Sequence, residues 1–215
     1  MSENLSGGGA RRGHMTHQVV VKNIAKCEFM LGLAHLMVNT IGAEGFQHIH
    51  EKLAELWVNL ETMQAFLRAA EADAQLDEWG VMRPAWNPLD AARNLFPRLY
   101  PRMVEIIQQI GASGLVAMPT EDDLKGPLHE DIKKYYQAAR AEAFDRIPLF
   151  RLAWDASISA FAGRQMLYER FFFGDPVRMA GALVMGHGAQ IQEYAEKVRA
   201  FVKEGKDEAF RVASA

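Results

Sequence analysis

The run Gln108-Gln109-Ile110-Gly111-Ala112-Ser113-Gly114 places side-chain amides beside a glycine-rich helix end, where unpaired backbone groups can hold a polar ligand. An ordinary helix C-cap has the same composition. Further on, Gln165 interrupts an otherwise apolar helical face, and a buried amide costs ~1–3 kcal/mol unless its hydrogen bonds are met. Either a neighbouring backbone or a bound ligand must answer it. Beside Arg164, the small residues Ala156, Ala160 and Gly163 form a strip that permits close approach by another helix or by a flat cofactor. His187 lies on a core stripe between Gly186 and Gly188 and reads as a satisfied core histidine.

Other chemistries lack their residues. A ferritin-like di-metal centre needs Glu-x-x-His pairs, because residues three apart on a helix point the same way, and none occurs. His48 and His50 are two apart and project to different sides of a helix, so no metal site is expected; Glu44 and His48 form at most an isolated pair. There is no G-x-S-x-G elbow and no phosphate loop ending in Lys-Ser/Thr, which leaves no self-contained catalytic residue to nominate. The single cysteine, Cys27, falls on an apolar stripe as a small buried hydrophobe. One thiol makes no intrachain disulfide, and a reducing, cytoplasmic setting fits.

The elements that would position these residues are helices. Apolar residues recur every three or four positions through most of the 215 residues, and strand-like alternation is nearly absent. The spacing predicts a helix over 18–41 with Val20, Ile24, Cys27, Leu31, Ala34, Val38 and Ile41 in one stripe. A second carries Phe46, Ile49, Leu53, Leu56, Leu60, Met63 and Leu67. Trp79-Gly80 and prolines 84, 88 and 97 make 73–101 the main irregular region, pinned by Trp79, Trp86 and Phe96, before a short helix over 102–110. Another short helix is predicted over 131–142, a long one over 148–173, and a last one starting at the cap Asp175-Pro176. The fold class is therefore all-α, four long helices in an up-down bundle with shorter connecting helices. Residues 1–15 read as a disordered leader, 16–205 as one bundle domain and 206–215 as a C-terminal tail.

Charge and composition exclude several partners. With 24 basic and 27 acidic residues the net charge is -3, which gives no electrostatic case for nucleic acid or an anionic membrane. No apolar run approaching ~20 residues is apparent, so no membrane span is expected.

The stretch from Arg151 to Arg178 (RLAWDASISAFAGRQMLYERFFFGDPVR) resembles the C-terminal domain of the 4-hydroxyphenylacetate 3-monooxygenase oxygenase family, which has an acyl-CoA dehydrogenase-like fold. The segments His17-Gln18, 29–34 (FMLGLA), 41–46 (IGAEGF) and 51–55 (EKLAE) are similar to the same domain's opening helices, and the likeness runs from His17 to Val202. The resemblance implies a two-component monooxygenase in which a separate flavin reductase supplies reduced FAD and a phenol is hydroxylated ortho to its hydroxyl. It also implies a three-part architecture of which only the last part, the bundle that builds the oligomer, is present. Expected partners are accordingly a second copy, in a dimer or tetramer, and a companion chain carrying the missing domains. Gln108-x-x-Gly111-x-x-Gly114 is similar to the Gln-x-x-Gly-Gly-x-Gly element with which acyl-CoA dehydrogenase bundles meet FAD, with Ala112 at the second glycine. The FAD contacts implied are Gln108, Gly111, Ser113 and Gly114, with Arg164 and Gln165 as a second polar contact. The family's phenol-binding and oxygen-activating residues lie largely in the absent parts. A sister branch, the 4-hydroxybutyryl-CoA dehydratases, takes a His and a Cys from its bundle; His17 and Cys27 do not fit, because Cys27 reads as core and no second thiol exists. The alternative reading is a non-enzymatic self-association module derived from the same family.

Overall fold

In the computed structural model the described residues are 6–213, with side chains described from Gly13 to Gly205. The order is α1 (Ser6–Ile41), α2 (Gln47–Ala72), a hairpin of β1 (Gln75–Leu76) and β2 (Met82–Arg83), α3 (Trp86–Gly111), a 3-10 turn (Ala112–Leu115), α4 (Glu121–Lys125), α5 (His129–Tyr135), α6 (Ala143–Ser157), α7 (Ala160–Phe171), α8 (Pro176–Gly186) and α9 (Gly188–Ala213). The all-α class holds. The chain divides after Phe173 into two units, where the spacing suggested one bundle over 16–205.

The first unit is built on α1, α2 and α3, which pack on one another, with α6 and α7 laid against α3. The stripes predicted for the first two helices supply much of its core: Val20, Cys27, Ala34 and Val38 of α1 and Ile49, Leu56, Leu60 and Met63 of α2 are buried, whereas Phe46 is exposed just before α2. Met30, Leu33 and Met37 join them, turning the buried face of α1 slightly from the predicted one. By length and composition alone Gly13–Ile41 would suffice to cross a bilayer, a span the spacing did not suggest. The packing of these residues against α2 and α3 accounts for their apolarity as core.

Several boundaries differ from the sequence expectation. Residues 6–15 are helical backbone at the start of α1, and 206–213 continue α9; 1–5 and 214–215 lie outside the described residues. Residues 73–101 are a small antiparallel hairpin followed by most of α3, with Pro97 and Pro101 inside the helix. The Asp77 carboxylate turns the hairpin by accepting from the N–H groups of Trp79 and Val81 at 3.0 and 2.9 Å. Trp79 is 68% exposed and anchors nothing, whereas Phe96 is 2% exposed at the centre of the core. Each proline inside a helix costs about 3 kcal/mol. Burial of Leu89, Phe96, Met103, Ile106 and Ile107 on α3, at about 1.5–3 kcal/mol apiece, outweighs both.

The predicted helix over 131–142 stops at Tyr135. The predicted helix over 148–173 starts earlier, at Ala143, and breaks at Ile158-Ser159. There the Ser159 hydroxyl caps α7 by accepting from the Ala162 N–H at 3.1 Å. In the second unit the Asp175 carboxylate caps α8 as expected, accepting from the N–H groups of Val177 and Arg178. The expected continuous last helix is interrupted at His187, whose Nδ1 lies 2.9 Å from the Leu183 carbonyl. His187 is half-buried at that break and is not a core residue.

Burial of Cys27 sets a pH dependence. Desolvation, with Glu28 adding repulsion, pushes its thiol from 9.0 up to about 12. The unfolded chain therefore sheds this proton first, and stability is lost as pH rises from 9.0 towards that raised value. The urea midpoint should fall more between pH 8 and pH 10 for this chain than for Cys27→Ala. Equal falls would exclude the thiol as the cause.

Candidate functional site

At the end of α3 the chain reverses through Ala112, whose φ of 44° is the one positive value at a non-glycine among the described residues. One turn earlier, Gln108 Nε2 donates to the Ser157 carbonyl at 2.7 Å. Ser157 ends α6, where a helix leaves its last carbonyls without intrahelical partners, so Gln108 closes α6 from outside. Gly111 is buried, and a Cβ there would stand 2.4–2.8 Å from side-chain carbons of Leu115. A Cβ on Gly114 would meet Phe150 Cε1 at 3.1 Å and Arg146 Nη2 at 3.3 Å. The chain's own packing thus crowds out a Cβ at Gly111, while at Gly114 a Cβ would press on the Phe150 ring and the Arg146 guanidinium. Ser113 is exposed, and its carbonyl accepts from Val116 and Ala117 N–H at 3.1 Å.

The second group is organised by a residue that the spacing of apolar positions did not single out. Glu169 is buried on the inner face of α7 and accepts from Gln165 Nε2 at 3.0 Å, so the partner Gln165 requires is a carboxylate one turn away on its own helix. Glu169 also takes Lys22 Nζ at 2.6 Å and pairs with Lys26, both from α1. Aromatic rings surround the ammonium groups: Lys22 stands 5.0 Å from the centre of Tyr168 and 5.3 Å from Phe172, and Lys26 stands 5.2 Å from Tyr100. Burial lowers the Lys22 pKa while Glu169 opposes it; burial, with Glu169 beside it, raises the Tyr100 phenol to about 12. The i, i+4 spacing of Gln165 and Glu169 was a readable signal. The lysines, well over a hundred residues away, gave none.

Arg164 is exposed and makes no ion pair among the described residues. No described contact joins Gln108, Gly111, Ser113 or Gly114 to Arg164 or Gln165. The small-residue strip receives nothing at Gly163, where a Cβ would meet open space. His50 bonds the Glu44 carbonyl and Arg140 pairs with the Glu44 carboxylate. Among the described residues no cluster of His, Cys, Asp or Glu could hold a metal ion. Glu169 is engaged by three donors, Lys22, Lys26 and Gln165. The arrangement offers exposed polar contacts at Ser113 and Arg164 on two rigidly held segments.

Residues 5–203 match the family model described as 4-hydroxyphenylacetate 3-hydroxylase C terminal. The 4-hydroxyphenylacetate 3-monooxygenase oxygenase component of Thermus thermophilus is 52% identical over 191 residues, which are 89% of this chain and 39% of that protein. A crystal structure of the oxygenase component (HpaB) of 4-hydroxyphenylacetate 3-monooxygenase complexed with FAD superposes with a TM-score of 0.87 at 50% identity, covering 94% of this chain and 42% of that one. An archaeal 4-hydroxybutyryl-CoA dehydratase matches with a TM-score of 0.76 at 18% identity, a likeness of fold alone. The chain spans about two fifths of the length of such relatives.

Proposed function

The chain belongs to the 4-hydroxyphenylacetate 3-hydroxylase C-terminal family, and we propose that it is the FAD-contacting bundle of a two-component aromatic monooxygenase. The observation that carries this is the 52% identity to an oxygenase component over 89% of the chain. Bound reduced FAD supplies the oxygen-transfer chemistry; the protein's part is to hold one side of it. Ser113 and Arg164 fit that part, since both are exposed polar groups at unobstructed positions. Gly111 and Gly114 contribute backbone at the α3 end, while Gln108 and Gln165 fix the two segments by their bonds to Ser157 and Glu169.

The remaining parts of the oxygenase, a flavin reductase and further copies of this chain complete the proposed assembly, in the cytoplasm. Mixed alone with reduced FAD, oxygen and 4-hydroxyphenylacetate, the purified chain should give no catechol. Its flavin affinity should fall about tenfold in Arg164→Ala, the loss of one charge-assisted contact. Catechol made without another protein would overturn the reading.

Self-association without flavin is a second reading, favoured by α9. Its stripe of Ile191, Tyr194, Val198 and Phe201 is 47–75% exposed within the second unit. Absence of saturable flavin binding, together with a concentration-dependent sedimentation coefficient, would select it.

A further inference from the structure

We infer that the hollow between α1, α3 and α7 is a binding site for a single buried water held by Asn23. The hollow is walled by Lys22, Asn23, Arg93, Phe96, Pro97 and Glu169 among others, and its cavity volume is about 10 Å³. That is room for about one water. Asn23 is 1% exposed, and its Oδ1 is buried without a hydrogen-bond donor among the described residues. A buried acceptor left in that state is costly, so it calls for a donor from outside the described residues.

The surrounding charges decide which donor it is. An anion brings no proton for Asn23 Oδ1. A cation would enter beside Lys22, Lys26 and Arg93, whose nearby carboxylates, Glu169 and Asp90, are already engaged by them. A neutral donor with one heavy atom remains, and water is that species.

The site also offers the two to four partners a buried water needs. Lys22 donates once to Glu169 and keeps two N–H groups; Arg93 donates its Nε–H to Asp90 and keeps its other donors.

A crystal structure of the full chain grown in bromide tests this directly. The expected result is a density peak ~2.6–3.2 Å from Asn23 Oδ1 with no anomalous signal. An empty hollow, or a bromide peak, overturns it. Asn23→Leu gives an independent reading, because removing a dry orphan is neutral or stabilising whereas removing the acceptor of a bound water strands that water's other partners. The midpoint of thermal unfolding should fall by ~3–6 °C; an unchanged or raised midpoint counts against the water.

Discussion

Glu169→Ala should destabilise the first unit by about 3 kcal/mol, lowering its thermal midpoint by about 6–12 °C. The Glu169 side chain is 2% exposed, and it is the shared counter-charge of Lys22 and Lys26, which are 29% and 24% exposed. Its removal leaves two ammonium groups among Phe96, Tyr100, Tyr168 and Phe172 with no carboxylate, and leaves Gln165 without its acceptor. Breaking a buried pair costs about 3–5 kcal/mol; the lower end applies because lysines a quarter exposed can turn their ammonium groups to water. A purely volumetric loss would be cured by Glu169→Leu, which restores bulk without charge. The ionic account instead requires that Glu169→Leu remain destabilising, and that it recover when Lys22 and Lys26 are both changed to Met. Urea denaturation of the four proteins checks this, and full recovery by Glu169→Leu alone would refute it.

What the sequence made legible follows from the range of the interactions involved. The stripes of α1 and α2 and the Asp175-Pro176 cap are local patterns, and the structure keeps them. In α3 local propensity and tertiary burial conflict: Pro97 and Pro101 argue for a break, while Leu89, Phe96, Met103 and Ile107 bury one continuous face against α1 and α2. Burial outweighs the two prolines, and no reading limited to neighbouring residues can weigh it. The same limit applies to the site. Gly111 and Gly114 stood out by type, but their packing reasons, Leu115 and Phe150, appear only once the turn closes and α6 docks on it. The Ile158-Ser159 break depends on Ser159 locally and on Gln108 from another helix, so only half of its cause is in its own sequence.

Phe150→Ala should cost about 4 kcal/mol and, more tellingly, reverse the sign of a second substitution. Phe150 is 2% exposed, lies under the Arg146 guanidinium at 4.9 Å, and occupies the space a Cβ on Gly114 would need. In the otherwise unchanged chain Gly114→Ala forces that ring to give way and should cost about 1 kcal/mol. With Phe150 truncated the obstruction is gone, the new methyl fills part of the cavity, and alanine's lower backbone entropy loss makes the same substitution stabilising by about 0.5–1 kcal/mol. The double-mutant cycle should therefore show a coupling of about 1.5–2 kcal/mol between residues far apart in sequence. Two pressures on Gly114 are separated by this measurement. If packing against Phe150 sets the glycine, stability couples as stated, and flavin affinity in Gly114→Ala changes only as far as the turn is displaced. Were the glycine instead set solely by the approach of a flavin, the two stability changes would add within about 0.5 kcal/mol and affinity would fall in both backgrounds.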